Sequence, residues 1–495
     1  MNQRRNAPQG YLDLKPLMQR SMPNPSLTAA LRALVTHMRA EQILFYDDTW
    51  RGIPQFQHSL IPSTIDFERA VLPAAAASAV IDSVAICRRL PAPPEMARAR
   101  SLTGSHSFRV LALSGGRWVN VGALDQEDHW KRYAAQQAGV DLPGPDDSRI
   151  PELLSWLSST RQTLFLPYQT LDYHYRCFGD QVLLCDPADR LNDKAFVART
   201  LVDAGLRSQV PDGILVRPTD PDTYVHNIIE AVDIFAARDM ASYIKLSQRG
   251  VSGLANVVPS QDPVVYEISA PHEARITRMR QILSERRIDS RQETATIDER
   301  LPKGSDEMGP REFTVGGLLV DGDFYPCYVG RNVNSPTDAT NRMIHSNTSE
   351  LVGLDDSTYQ RIIGVAACIS EALVGIGYRT GYSYIDVIIT TDGRIVATDF
   401  NMRRGLRSAG EAWISRYNGA FYTKTFDVGS AITAPSLRTL ADHFSEIDVV
   451  WYGTPAPAAS PMVSVIAPMT PGACVEALDA SIGAVLAELA GPPTR

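Results

Sequence analysis

The residues most able to do chemistry lie between 381 and 405, in GYSYIDVIITTDGRIVATDFNMRRG, where two β-rich runs flank the turn signal Asp392-Gly393. A two-residue turn there makes a hairpin and sets its register: Thr391 faces Arg394, Ile389 faces Val396, and Asp386 lies opposite Asp399. Directly opposed Cβ atoms sit about 5 Å apart, so two carboxylates repel unless something positive bridges them. Asn401, two residues past Asp399 and so on the same strand face, adds a neutral oxygen. Oxygen donors without His or Cys suit magnesium, or manganese in its place. The competing reading is a solvated hairpin whose acids face water or pair with Arg403 or Arg404. Against it stand Ile385, Val387, Ile389, Ile395 and Val396, which make these strands a costly place for unpaired charge.

Three further groups could join that site. In YIKLSQRGVSG a strand delivers Lys245 to a loop of small residues, Ser247, Gly250, Ser252 and Gly253, whose backbone N–H groups can close around phosphate oxygens. Such a loop is often only a connection, but a lysine at its mouth and a metal hairpin downstream favour nucleotide binding. In GPREFTVGGLLVDGDFYPCYVGRN, a hairpin turning at Asp321-Gly322, the same counting pairs Glu312 with Arg331. That pair reads either as a surface ion pair of under about 1 kcal/mol or as a nucleotide-contacting carboxylate and a phosphate or substrate ligand. Arg403, Arg404 and Arg407 carry guanidinium forks able to hold a carboxylate or a transferring phosphoryl group.

These groups must be held by a sizeable scaffold. At 495 residues and 44% hydrophobic the chain has about three domains' worth of core-forming sequence. A net charge of -8, with Lys and Arg scattered, argues against a nucleic-acid partner. The amino terminus lacks the apolar core of a signal peptide, and no uninterrupted apolar run of about 18 residues occurs, so a cytoplasmic protein without a membrane partner is expected. Six cysteines without CxxC spacing read as small buried hydrophobes.

Along the chain, Leu27, Leu31, Leu34 and Met38 form one helical stripe, with Pro25 suited to the first turn. A strand ILFYDD follows, and FRVLALS and WVNVGAL around Gly115-Gly116 read as a hairpin. From Asn192 come the capped helix NDKAFVARTLVDAG, the helix TYVHNIIEAVDIFAARD, the strands ASYIKLS and PVVYEIS, the helix HEARITRMRQILSERR and the strand ETATIDERL. Two long hairpins separated by a helix from about Asp356 complete the region. After TPAPAASP, the strand MVSVIAPM and helix ACVEALDASIGAVLAELA form a small αβ unit.

The ordered set of NDK, the strand ending in the lysine of YIKLSQRGVSG, ATIDERLP, REFTVGG and DFNMRRG resembles the ATP-grasp enzymes over residues 188 to 425. The flanking regions and the DFNMRRG wording are similar to the pheganomycin-type peptide ligases. The resemblance implies a multidomain α+β / α/β protein: an N-terminal αβ domain (1–187), a two-lobed ATP-grasp region (188–432) and a small C-terminal unit (433–495). It implies that Lys194 and Lys245 contact ATP phosphates beneath the loop from Ser247 to Gly253, and that the backbone near Ile297 meets adenine. Asp298 or Glu299, with Glu312, would lie near the nucleotide, and Asp386, Asp399 and Asn401 would hold two magnesium ions. Many members carry Glu-x-Asn where this chain has Asp399-Phe400-Asn401, a shorter acid.

The activity so implied joins a carboxylate to an amine, amino acid or peptide, through an acyl phosphate. Lys245, Arg331 and Arg403 would steady the reacting groups, and no residue suggests itself as the amine's general base. Transfer to a carrier-protein thiol and a catalytically silent nucleotide-binding regulator are the alternatives. A protein-kinase reading fails on segment order, since the Gly-rich loop follows the lysine and no HRD-like loop precedes TDFN. Oligomeric state is unreadable; a homodimer is expected only because such dimers are the commonest assemblies.

Overall fold

The computed structural model describes residues 22–40, 42–48, 58–61, 85–88, 118–121, 163–167, 170, 175, 183–246, 262–285, 288, 290–291, 294–333, 342–403, 420–427, 448–451, 462–469 and 475–490, a mixed α+β architecture. Its first helix, α1 (Leu27–Met38), buries Leu31 and Leu34 and packs on the strands that carry the 321–322 turn. Ser26 caps it by accepting from Ala29 N, so Pro25 lies outside the helix and not in its first turn. Then come β1 (Gln42–Asp48), β2 (His58–Ile61), β3 (Ala85–Arg88), β4 (Trp118–Val121), β5 (Thr163–Pro167) and β6 (Leu183–Leu184), with sheet order β2-β1-β5-β6 beside a β3-β4 pair. WVNVGAL was expected to pair in a hairpin with FRVLALS. That pairing is not described, since FRVLALS lies outside the described residues; β4 runs parallel to β3.

A helix whose Val197 and Leu201 pack into the large-sheet core leads into a small lobe. Asp193 accepts from Ala195 N and Phe196 N at 3.0 and 3.1 Å and starts α2 (Lys194–Asp203), which ends before Gly205 at φ +86°. Next are β7 (Gly213–Val216), α3 (Pro221–Ala236), β8 (Ser242–Leu246), α4 (His272–Glu285) and β9 (Ala295–Glu299), with antiparallel sheet order β7-β9-β8. Strand alternation does the positioning. Ile244, Leu246, Ala295 and Ile297 are buried with Ile228 and Met279 of the helices. Tyr243, Lys245, Thr296 and Asp298 are therefore turned to the other face.

PVVYEIS is not the expected strand. Asp262 accepts from Val264 N and Val265 N at 3.2 and 3.0 Å, which winds the segment into turns, and Tyr266 Oη accepts from Ile244 N at 3.0 Å. Two side chains thus satisfy backbone donors that a ladder would have used.

The large lobe starts with β10 (Ser305–Asp306) and β11 (Gly309–Pro310), a short antiparallel pair. It continues through β12 (Glu312–Val320), β13 (Asp323–Asn332), β14 (Arg342–Ser346), α5 (Asp356–Ala372), β15 (Gly381–Ile389), β16 (Ile395–Asn401), β17 (Ala420–Asp427), β18 (Asp448–Trp451), β19 (Met462–Pro468) and α6 (Val475–Ala490). One sheet runs β16-β15-β12-β13-β14-β17-β19-β18, so the strands near the C-terminus extend the sheet that carries 312–332. Phe313, Val315, Ile385 and Val387 pack on Ile362 and Ile369 of α5. By length and composition 356–376 could cross a membrane, but 72% of its most apolar window is buried within the protein, so that apolarity serves the core. Asp479 of α6 receives Arg342 at 2.6 Å, Lys424 at 3.0 Å and the Tyr422 hydroxyl, which ties the helix to β14 and β17. Cys185, Cys327 and Cys368 are buried free thiols; the side chains of Cys87, Cys177 and Cys474 lie outside the described residues.

Burial alone would raise the Asp262 pKa, but the Val265 N–H and Arg278, 2.8 Å away, outweigh it and hold the carboxyl below its usual value. Its contribution is fully present above the unfolded value near pH 4 and is lost as pH falls through the folded one. Asp262→Ala should cost about 2 kcal/mol at pH 7, the scale for hydrogen bonds to a charged group. Denaturation of both proteins from neutral pH into acid should show that gap closing.

Candidate active site

The site lies where the small lobe meets the β15-β16 edge of the large sheet. Asp386 and Asp399 are Cα partners there, and Tyr384 pairs with Asn401. Ile385, Val387 and Phe400 join the α5 core, so strand alternation leaves Tyr384, Asp386, Asp399 and Asn401 on the opposite face.

The expected Asp386 and Asp399 pairing is present, but the turn that was to produce it is different. Thr390 N donates to Arg394 O and Gly393 N to Thr390 O, both at 2.9 Å, closing a three-residue loop with Gly393 at φ +81°. Near the loop Ile389 therefore opposes Ile395, not Val396. A bulge between Asp386 and Val387 then makes Thr398 the extra residue of β16 and restores the register.

That bulge is also a contact point. Lys245 Nζ, from the small-lobe sheet, donates to Thr398 O at 2.7 Å and meets Asp298 Oδ2 at 2.8 Å. Lys194, the first residue of α2, meets Asp399 Oδ1 at 2.6 Å. A cation at the positive end of a helix is unfavourable by itself, and the carboxylate compensates it. Asn401 Nδ2 donates to Asp399 Oδ2 at 3.2 Å, which turns its amide oxygen away from that carboxylate. Ala198, Pro211, Thr296 and Phe400 complete the lining of the cleft around both lysines, Asp298 and Thr398.

The charges are mutually dependent. Burial would raise the Asp399 pKa, yet the Lys194 and Lys245 charges, the hydrogen bond from Lys194 and the charge of Arg403 hold it well below the carboxylate range. Burial would lower the Lys245 pKa, and the carboxylates of Asp298 and Asp399 more than offset that, leaving it raised. At neutral pH the cleft is thus a cluster of formal charges.

Glu312 lies close enough for its charge to act on Tyr243, as those of Lys245 and Asp399 do. Ile297 is buried in the small-lobe core, so only its backbone can face a ligand. Glu299 N donates to Asp212 O at 2.7 Å. Glu312 takes Lys303 at 2.7 Å and Asn332 Nδ2 at 3.5 Å. Glu312 does not pair with Arg331: the Asp321-Gly322 turn forms as expected, but a register shift at Gly316/Gly317 sets Phe313 opposite Arg331. A Cβ at Gly316 would meet the Tyr328 ring at 2.4 Å, so the glycine pair is what lets large rings cross β12. Arg331 is fully buried on the α5 side, bonded to Asp306 and to Val352 O at 3.0 Å and lying 5.4 Å over the Phe313 ring. Its expected catalytic role is corrected to a structural one. Ser247, Gly250, Ser252, Gly253, Arg404 and Arg407 lie outside the described residues.

No group of three His, Cys, Asp or Glu side chains able to hold a metal occurs among the described residues. Asp386, Asp399 and the Asn401 amide are hard oxygen donors of the kind that would suit magnesium or manganese.

No family model matches the chain, and no curated protein matches it. Among solved structures it is similar to an ADP complex of N5-carboxyaminoimidazole ribonucleotide synthetase, at 14% identity over 71% of this chain and 86% of that one, TM-score 0.43. It is similar to N5-carboxyaminoimidazole synthase from Aspergillus clavatus, at 12% identity over 72% and 89%, TM-score 0.43. The VanG D-Ala:D-Ser ligase from Enterococcus faecalis is similar at 17% identity over 48% and 63%, TM-score 0.31. These are distant likenesses, and the site stands on its own geometry.

Sequence counting missed Gly213, which sits opposite Asp298 and whose added Cβ would lie 2.7 Å from Asp298 Oδ1. Gly213→Ala should push that carboxylate off Lys245, lower the lysine's pKa and speed its acylation by up to about tenfold, the effect of one pKa unit. Mass-spectrometric labelling of Lys245 against surface lysines, with circular dichroism unchanged, checks this. Equal labelling would mean that Asp298 is accommodated in place.

Proposed function

We propose that this chain is an ADP-forming ligase of the ATP-grasp type, joining a small-molecule carboxylate to an amine in specialised peptide or amino-acid metabolism. The observation that carries the proposal is the convergence of Lys194 and Lys245, from separate elements, on Asp399 and the neighbouring Thr398 carbonyl, with Asp386 across the strand. Two lysines at a cleft between lobes suit a polyphosphate, and paired aspartates with an amide oxygen suit the divalent ions that accompany it.

In this proposal Asp386, Asp399 and Asn401 would hold magnesium, which would supply positive charge against the phosphates. Lys245, positioned by Asp298, and Lys194 turn their ammonium groups to phosphate oxygens. The substrate carboxylate attacks the γ-phosphorus in line, the bond to the bridging oxygen breaks, and ADP leaves. The amine then attacks the acyl carbon and expels phosphate, losing its proton to solvent or phosphate. Arg403, close enough for its charge to act on Asp399, is the candidate for holding the reacting carboxylate.

ADP release with magnesium and ATP, measured over amino acids and short peptides offered singly and in pairs with mass spectrometry of products, tests the proposal. Pair-dependent release with a product lighter by one water than its substrates is the expected result; release without a condensed product would turn the reading to a kinase. Asp399→Ala should fold normally and lose turnover by roughly 10²-fold or more, since even outer-shell changes at metal sites cost 10- to 100-fold. Near-normal turnover in that variant would remove the metal assignment.

A further inference from the structure

Asp386 is held by two threonines that sequence reasoning did not single out. Thr398 Oγ1 donates to its backbone carbonyl at 3.3 Å. Thr314, its Cα partner on β12, donates its hydroxyl to Asp386 Oδ1. Thr314 is 3% exposed and sits between Phe313 and Val315, both of which pack toward α5. At such a strand position valine has the same shape and similar β-propensity, so strand formation gives no reason for a hydroxyl. Burying a hydroxyl is costly unless it is hydrogen-bonded, and this one spends its proton on the carboxylate assigned above to an ion.

We infer that Thr314 is a positioning residue, whose hydroxyl fixes the plane of the Asp386 carboxylate for a divalent cation. The inference rests on the metal reading given under Proposed function. A carboxylate on a strand rotates about two side-chain torsions; anchoring one oxygen leaves a single orientation and lowers the ordering cost when an ion binds. The adjacent strand is the right place for the anchor, because direct cross-strand partners keep their side chains on one face.

The experiment is Mn2+ binding to the full chain with ADP, read from the loss of the free-ion electron paramagnetic resonance signal, for wild type and for Thr314→Val, Thr314→Ser and Asp386→Asn. Expected is a 10- to 100-fold weaker Mn2+ affinity in Thr314→Val, the usual size of an outer-shell effect. Thr314→Ser should bind as wild type does, with thermal midpoints of the metal-free proteins alike. Should the valine variant not fold, Thr314→Ala gives the same reading. Wild-type affinity in Thr314→Val together with loss in Asp386→Asn would overturn the positioning role and leave the metal reading standing. Equal weakening in the serine variant, which keeps the hydroxyl, would assign the effect to side-chain packing at this position and overturn the hydroxyl's role. Failure of wild type to bind Mn2+, or indifference to Asp386→Asn, would overturn the metal reading and this inference with it.

Discussion

Two aspartates facing each other across adjacent strands set the constraint that the rest of this molecule answers. Unit charges about 4 Å apart interact by about 4 kcal/mol at an effective dielectric near 20, a large share of the 5–15 kcal/mol that stabilises a typical domain. The protein meets part of this with Lys194 on Asp399 and with Lys245 nearby, and it gives Asp386 a neutral donor in Thr314. Each compensating group comes from a different element, so α2, the three-stranded sheet and β12 must all be packed in register for the β15-β16 pair to be tolerable. Lys194 needs α2 to begin at Asp193 and to pack beside β16. Lys245 needs the alternation that buries Ile244 and Leu246.

The hairpins show how far sequence counting reaches. At Asp321-Gly322 both residues have positive φ, 51° and 92°, and the two-residue turn is as expected, yet pairing extrapolated beyond Gly317 fails because a bulge intervenes. At Asp392-Gly393 the turn is one residue longer than expected, and a bulge of opposite consequence brings Asp386 back opposite Asp399. Turn dipeptides report local φ and were read well enough; a bulge answers to side chains on other strands. The Gly316-Gly317 pair was the one visible sign, since glycines inside a strand mark bulges and close approaches. Helices were more legible: Asp193, Asp220 and Asp355 each cap the start of an expected helix.

What stayed illegible is of one kind. The Thr398 carbonyl, the room at Gly213 and the Thr314 hydroxyl act through backbone shape or through a neighbour far away in sequence; Lys245 and Thr398 are 153 residues apart. Residue type alone gives no hint that a threonine carbonyl will meet a lysine. Arg331 is the opposite lesson. A guanidinium suggests substrate chemistry, but β13 turns it into the α5 core, where it bonds Asp306 and the Val352 carbonyl. Its aliphatic stem and cation–π face then serve packing.

Lys245 carries the widest consequence. It belongs to the small-lobe sheet, and its ammonium is shared between Asp298 of that sheet and the Thr398 carbonyl of the large one. A hydrogen bond from a charged donor is worth about 1.5–3 kcal/mol net, comparable to the energies that separate open and closed arrangements of two lobes. Any anion that draws the ammonium away from Thr398 removes that cross-lobe tie and must supply its own. Under the proposed function a polyphosphate reaching from Lys245 to Lys194 would do so, because α2 packs beside β16 while β8 does not belong to that sheet. The tie between the two sheets therefore runs through one side chain, and the bulge at Thr398 is the backbone feature that makes it possible.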